Sequence, residues 1–360
     1  MATPAPWRGR RVLVTGHTGF KGGWLCAWLQ SLGAKVAGYA LDPPTDPSLF
    51  EDARIGEGML DTRGDIRDAA ATQAAIASFD PEVLFHLAAQ PIVKEGYRAP
   101  VDTYATNVVG TASVLEACRS APSLRAVVVV TTDKCYENRE WDRGYVETDA
   151  LGGHDPYSNS KACAELVTDS FRRSFFAERS PAVGIATARA GNVIGGGDWA
   201  ADPRIPDLMR AAPSGGETLI RNPDSTRPWQ HVLEPLHGYL LLAEALLRDP
   251  AGFSEAWNFG PAEGGDRPVR EVVEKLSALW PGGLRWRADG AAHAHEAGKL
   301  MLDSSKAMSR LGWRPRLPFD DSLRLTAAWY ARRHAGTGSL REEIESQVRY
   351  HSTLAQTRPG

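Results

Sequence analysis

Arg11-Val12-Leu13-Val14-Thr15-Gly16-His17-Thr18-Gly19-Phe20-Lys21-Gly22-Gly23 is the stretch that decides the fold. Its first five residues read as a short buried strand, and three glycines then recur at three-residue spacing. Residues 24–32 have helical periodicity and close at Gly33. A glycine-rich turn between a strand and a helix lets backbone N–H groups approach a pyrophosphate at the positive end of the helix. Glycine turns are common, but one with a strand before it and a helix after it points to a dinucleotide. Gly16, Thr18, Gly19, Phe20 and Gly22 are the candidate phosphate cradle.

Working outward, 35–41 reads as the next strand, and Asp42 ends it. Asp42 lies about 20 residues past the turn, where a carboxylate binds adenosine ribose hydroxyls and repels a 2′-phosphate. NAD is therefore expected over NADP; the plainer reading is a loop aspartate before Pro43-Pro44. A third strand runs toward Asp65 and Ile66, 69–79 is helical, and 83–87 is a fourth strand. Small residues, Ala88 and Ala89, follow it and let a cofactor lie close, and Asp65, Ile66 and Leu87 are further cofactor-binding candidates. A long helix is expected over 103–119. Residues 127–130 form a β-branched run with no polar residue, as in a central parallel strand buried on both faces. It delivers Thr131-Thr132-Asp133-Lys134 to a strand's carboxyl end, where ligands bind in open α/β sheets. With a helix over 156–178 and a strand over 183–188, the alternation predicts an α/β doubly wound parallel sheet.

Asp155-Pro156-Tyr157-Ser158-Asn159-Ser160-Lys161 starts the helix at 156. Asp is a preferred N-cap, and Pro is favoured at the first helical position. Tyr157 and Lys161, four residues apart, share a face. A tyrosine with a pKa of about 10 is roughly a thousandfold too protonated to be a base near neutrality. The Lys161 cation and the helix dipole are expected to lower it. Alone, Tyr-x-x-x-Lys is a surface tyrosine beside a solvated lysine; a docked redox cofactor makes it a base candidate. Cys163, Leu166, Val167, Phe171 and Phe175 lie on or near one stripe, expected as core or subunit interface.

Past residue 190 the elements shorten. Helices are expected over 204–211, 234–247 and 269–279, strands over 219–221 and 257–259, mainly helix over 304–335 and a charged helix over 339–355. The expected organisation is a dinucleotide domain over 8–190, a smaller mixed α/β substrate lobe over 191–340 whose chain crosses back to the first domain, and a tail over 341–360. Arg and Trp in this half suit an anionic, aromatic ligand, because guanidinium forks match phosphate oxygens.

With a formal net charge of −3 over 360 residues, nothing favours nucleic acid or an anionic membrane as partner. Cys26, Cys118, Cys135 and Cys163 form no Cys-x-x-Cys pair. Neither a metal site nor a disulfide framework is expected, and a reducing cytoplasm is. Residues 1–11 lack an apolar core of signal-peptide length.

These motifs resemble the extended short-chain dehydrogenase/reductase family, with its Rossmann sheet. Within it they are most similar to the nucleotide-sugar 4,6-dehydratases that act on CDP-glucose. The resemblance rests on Val14-Thr15-Gly16-His17-Thr18-Gly19-Phe20-Lys21-Gly22 and Thr131-Thr132-Asp133-Lys134-Cys135-Tyr136-Glu137-Asn138. Arg189-Ala190-Gly191-Asn192-Val193-Ile194-Gly195-Gly196-Gly197-Asp198-Trp199 and Arg227-Pro228-Trp229-Gln230-His231-Val232 extend it, so it covers nearly the whole chain. It implies that Tyr157 removes the proton of the hexose 4-hydroxyl as hydride leaves carbon 4 for NAD. Lys161 would hold the tyrosinate charge and the nicotinamide ribose, Thr132 would bond the same hydroxyl, and Asp133 would protonate the departing 6-hydroxyl. Gln90, Asn192, Arg204, Arg221, Arg227 and His231 are put forward as contacts to CDP-glucose. It also implies a homodimer or homotetramer, paired through 103–119 and 156–178.

The dTDP-glucose relatives carry Asp-Glu where this chain has Asp133-Lys134, and there the Glu is the carbon 5 base. An ordinary lysine is protonated near neutrality. Either its surroundings lower the pKa of Lys134, or it stabilises an enolate while another group takes the proton. The rival enzyme is a nucleotide-sugar 4-epimerase, which needs no acid to expel a 6-hydroxyl. The non-catalytic rivals are a dinucleotide sensor, which has no use for the tyrosine, and a sugar-nucleotide-binding scaffold.

Overall fold

The computed structural model describes residues 6–200, 204–220, 222–261, 265–289 and 300–357. Seven strands form one parallel sheet: β1 (Arg11–Thr15), β2 (Lys35–Ala40), β3 (Leu60–Arg63), β4 (Val83–His86), β5 (Ala126–Val130), β6 (Gly184–Ala190) and β7 (Ala256–Phe259). Their order is β7-β6-β5-β4-β1-β2-β3, so the order reverses between β1 and β4. Ligands of doubly wound sheets lie at that switch point.

Alternate strand residues point to opposite faces, and the two faces make two cores. Val12, Val14, Phe85, Val128 and Val130 pack under α1 (Phe20–Ser31) and a later helix at Leu233–Arg248. Leu13, Leu84, Val127 and Val129 pack under α2 (Ala69–Phe79), α3 (Gly110–Arg119) and the helical run that starts with α4 (Pro156–Phe171). Helix α1 begins at Phe20, four residues before the start expected from periodicity. The glycines of its first turn carry no apolar signal, yet Gly22 and Gly23 are buried in it. The expected helix 103–119 is a run of Pro100–Tyr104, a π turn at Ala105–Val109 and α3. A second π turn, Arg172–Phe176, extends α4.

The chain leaves the sheet at 190 and returns to it. After short paired segments at Val193–Ile194 and Gln230–His231, α5 (Leu233–Arg248) packs beneath the sheet and β7 adds to β6. The outer lobe holds Glu217–Ile220 paired with Arg285–Ala288, and Thr226–Pro228 paired with Asp266–Pro268. It also carries α6 (Val269–Leu279). The stretch expected as mainly helical, 304–335, is a π turn at Ala307–Leu311, irregular chain through Pro318, and α7 (Phe319–Ala335). Helix α8 (Leu340–Thr357) closes the chain over α1 and α7. Among the described residues no helix is long and apolar enough to cross a membrane.

Candidate active site

The glycine turn fits a pyrophosphate. Gly16 has a positive φ of 76°, and a Cβ there would sit 2.6 Å from the Ala88 nitrogen. A Cβ on Gly22 would lie 2.1 Å from the Gly16 carbonyl oxygen. Helix α1 has neither a side-chain cap nor an acid in its first turn, so its positive end is free of internal anions. Thr18 donates to the Leu41 carbonyl (3.0 Å) and ties the turn to the end of β2. The Thr15 hydroxyl accepts from the Leu87 and Ala88 N–H groups (3.2 and 3.3 Å), which fixes the small-residue wall after β4. Asp42 is exposed beside Arg63 (3.8 Å) at the carboxyl end of β2. Asp65 is taken up by Arg67 (2.6 Å), which holds its carboxyl below the usual range, and Ile66 is buried against Gly110.

Two residues of that turn were missed as candidates. His17 is fully buried, with Nε2 2.8 Å from Asp61 Oδ1, and burial lowers its pKa. Lys21 faces Asp133, Asp198 and Lys161, and burial lowers it to about 8. A lysine among glycines at a helix start is the signal that points to it.

The second half of the site forms where α4 meets the end of β5. Asp155 caps α4, accepting from the Ser158 N–H (3.0 Å) and hydroxyl (2.5 Å), and Pro156 is the first helical residue as expected. This brings Tyr157 and Lys161, both buried, against the turn at Asp133–Cys135. Thr132 caps that turn, accepting from the Lys134 N–H (3.3 Å) and donating to Asp133 Oδ1 (3.0 Å). Gly191 lets the outgoing loop pass, since a Cβ there would lie 2.7 Å from Asp133 Oδ2. Asn107, in the π turn, donates to Ser160 Oγ (2.9 Å) and the Gln90 carbonyl (3.0 Å), pinning α4 to the end of β4. π turns often sit at functional sites.

The electrostatics depart from expectation at Tyr157. Burial pushes its hydroxyl well above the ordinary phenol range, and only a hydrogen bond with Thr132 works the other way. Lys161 spends a proton on the Val130 carbonyl (3.2 Å), and burial together with Lys21 lowers it to about 8. Asp133 is pushed up by burial, against Lys134, Thr132 and Lys21. A carboxyl shifted in this direction is better suited to give a proton than an ordinary aspartate. His86 beneath the site stays neutral, lowered to about 3 by burial and by Lys161, with Thr15 and Thr111 on its two nitrogens (2.7 and 3.1 Å).

The expected substrate contacts disperse. His231 is a core residue rather than a surface contact. It is fully buried, its ring meets Trp24 edge-on at 5.7 Å, and burial lowers it to about 3. Gln90 uses both ends of its amide on Thr103 (2.9 Å) and the Ile92 N–H (2.5 Å), so it builds the turn after β4. Asn192 is exposed, and Arg227 is half-buried with Nη1 on the Thr226 carbonyl (3.0 Å). Arg221 and the side chain of Arg204 lie outside the described residues.

The NAD dependent epimerase/dehydratase family model matches residues 12–260. The CDP-glucose 4,6-dehydratase of Salmonella typhimurium strain LT2 is 52% identical over 330 residues, covering 90% of this chain and 91% of the relative. Among solved structures, MoeE5 in complex with UDP-glucose and NAD matches with a TM-score of 0.74 at 26% identity, covering 90% of this chain and 99% of its own. The NAD complex of dTDP-glucose 4,6-dehydratase from Bacillus anthracis matches in fold, with a TM-score of 0.71 at 22% identity over 90% of this chain and 97% of its own. From the glycine turn to the tyrosine-lysine helix, the chain belongs to the NAD dependent epimerase/dehydratase family.

Proposed function

We propose that the chain dehydrates CDP-glucose to CDP-4-keto-6-deoxyglucose. The observation that carries this reading is the buried Asp133, with half-buried Lys134 next to it in the same turn, set beside Tyr157 and Lys161. A 4-epimerase has no leaving group to protonate and no use for that acid. The choice of a cytidine nucleotide is supported by the 52% identity with the Salmonella enzyme.

NAD fits the cradle of Gly16, Gly19 and Gly22, with Asp42 on its ribose. When bound it supplies a positively charged ring that accepts hydride from carbon 4 and later returns it to carbon 6. Tyr157 takes the proton of the 4-hydroxyl while Thr132 holds that oxygen. Thr132 works against the burial that disfavours the tyrosinate, and the Lys161 ammonium would hold the nicotinamide ribose. The new ketone acidifies carbon 5. As the carbon 5 proton passes to solvent water, Lys134 stabilises the enolate; Asp133 gives a proton to the 6-hydroxyl, which leaves as water, and carbon 5 takes a proton back from solvent when hydride reaches carbon 6. Free cysteines fit a reducing cytoplasm, and two copies pair through the helical runs at 100–119 and 156–176.

The test is incubation with CDP-glucose and NAD. The expected product is lighter by one water and carries a 4-ketone. Recovery of CDP-galactose instead would establish the epimerase, and unchanged CDP-glucose would leave a binding protein.

A further inference from the structure

Glu165 follows Lys161 by one helical turn on α4, and no step above uses it. Its carboxylate is buried and fully occupied. Oε1 accepts the Thr131 hydroxyl (2.5 Å), while Oε2 accepts the Thr187 hydroxyl (2.6 Å) and Arg189 Nη2 (2.8 Å). Arg189 Nη1 donates to the Tyr136 hydroxyl (2.7 Å) and the Glu147 carbonyl (3.2 Å), and Tyr136 donates to Asn258 Oδ1 (2.8 Å). One network thus joins α4 to the ends of β5, β6 and β7, directly under the reacting groups. A buried ion pair is weak evidence for stability, because desolvating both charges offsets their attraction. A role in the chemistry accounts for its position better.

We propose that Glu165 is a positioning residue of the reaction, which locks Thr131 and thereby the Thr132 and Asp133 turn, and which sets a carboxylate one helical turn from Lys161. This rests on the reading of Tyr157 and Lys161 as the proton-transfer pair. Thr131 immediately precedes Thr132, so the short bond to Glu165 sets where the Thr132 hydroxyl and the Asp133 carboxyl point. Lys161 is faced by Lys21 from α1, His86 from β4, Cys135 from the turn, the Val130 carbonyl from β5, and Tyr157 and Glu165 from its own helix. His86 is neutral, and Lys21 opposes the ammonium. Glu165 is the carboxylate that favours it. A reaction needing the ammonium runs below the lysine pKa and fails above it. Removing the Glu165 charge therefore moves the alkaline limb to lower pH.

Two readouts test this, kcat/KM on CDP-glucose against pH and the titration of the Lys161 Cε resonance in lysine-labelled protein, assigned with Lys161→Met. Glu165→Gln is expected to lower both midpoints by about one unit. Thr131→Val is expected to lower kcat about tenfold with the alkaline limb unmoved, since it breaks the lock and keeps the charge. If the unpaired Arg189 prevents Glu165→Gln from folding, Glu165→Gln with Arg189→Met removes both charges at similar volume and is expected to shift the midpoints in the same direction by less, since the cation leaves with the carboxylate. Unchanged midpoints in a folded charge-deleted variant, or unchanged kcat in Thr131→Val, overturn the proposal. A parent protein inert toward CDP-glucose overturns the assigned function instead, and the Lys161 titration still judges the charge half of the inference.

Discussion

Lys134 has no counterpart in a mechanism that needs a carboxylate base at carbon 5, and its charge instead faces the carboxyl of Asp133. Lys134→Met deletes the ammonium while roughly keeping the stem's packing. Oxidation at carbon 4 is expected to survive, since Tyr157, Thr132 and Lys161 are untouched. Elimination is expected to slow by about a hundredfold or more. Reduced nicotinamide then builds up in the near ultraviolet, and solvent deuterium enters carbon 5 more slowly. Normal turnover without that absorbance would remove Lys134 from the chemistry. The residues legible in the sequence were those that local chain geometry places: Asp155 at a cap, Tyr157 and Lys161 one turn apart, Thr132 and Asp133 at a strand's end. Glu165 was equally local, four residues past Lys161, but its meaning depends on Thr131 and Arg189, which only the folded sheet brings to it. His231 failed in the opposite direction. A polar residue in an aromatic loop resembles a ligand contact, and only the packing of Trp24 shows it to be core.

At the scale of elements, the three glycines of the first turn do different work. Gly22 keeps the turn closed, because any side chain there collides with the Gly16 carbonyl. Gly19 has room within the protein, since its built Cβ meets only Gly16 O at 3.4 Å. Its requirement comes from a phosphate approaching the backbone. Gly19→Ala is therefore expected to leave the melting temperature nearly unchanged and to weaken NAD binding about tenfold or more. Gly22→Ala is expected to lose about 1–3 kcal/mol of stability along with binding. Calorimetric titration with NAD beside thermal unfolding separates the two, and parental NAD affinity in Gly19→Ala would remove the phosphate from this turn. Strand and helix alternation was readable because buried parallel strands are continuous apolar runs such as 126–130. The π turns were not, since a widened turn leaves the apolar spacing almost unchanged. The start of α1 was hidden by the glycines that the cradle requires.

For the whole molecule, a break at residue 190 marks where regular alternation stops, but the sheet is completed only by β7 sixty-odd residues later. Its pairing with β6 is non-local and leaves no mark on either segment. The other feature of the whole is what the sheet's helical cover leaves outside. The runs at 100–119 and 156–176 lie side by side, joined by Tyr104 to Asn159 and Asn107 to Ser160 (both 2.9 Å). Val101 and Val109 on one, and Leu166 and Phe175 on the other, remain exposed at 79%, 55%, 59% and 44%. Each such side chain gains about 1.5–3 kcal/mol on full burial, and pairing two copies through these helices would bury several at once. At micromolar concentration the protein is expected to sediment as a dimer, or as a dimer of dimers. Leu166→Glu with Phe175→Glu places charges on both surfaces and is expected to give monomers with unchanged near-ultraviolet circular dichroism. Neither side chain contributes to the site, so loss of activity in the folded monomer would show that pairing holds α4, and with it Tyr157 and Lys161, in place. A parent protein that sediments as a monomer would mean that these apolar groups face solvent in the working enzyme, and the four-helix pairing would have to be abandoned.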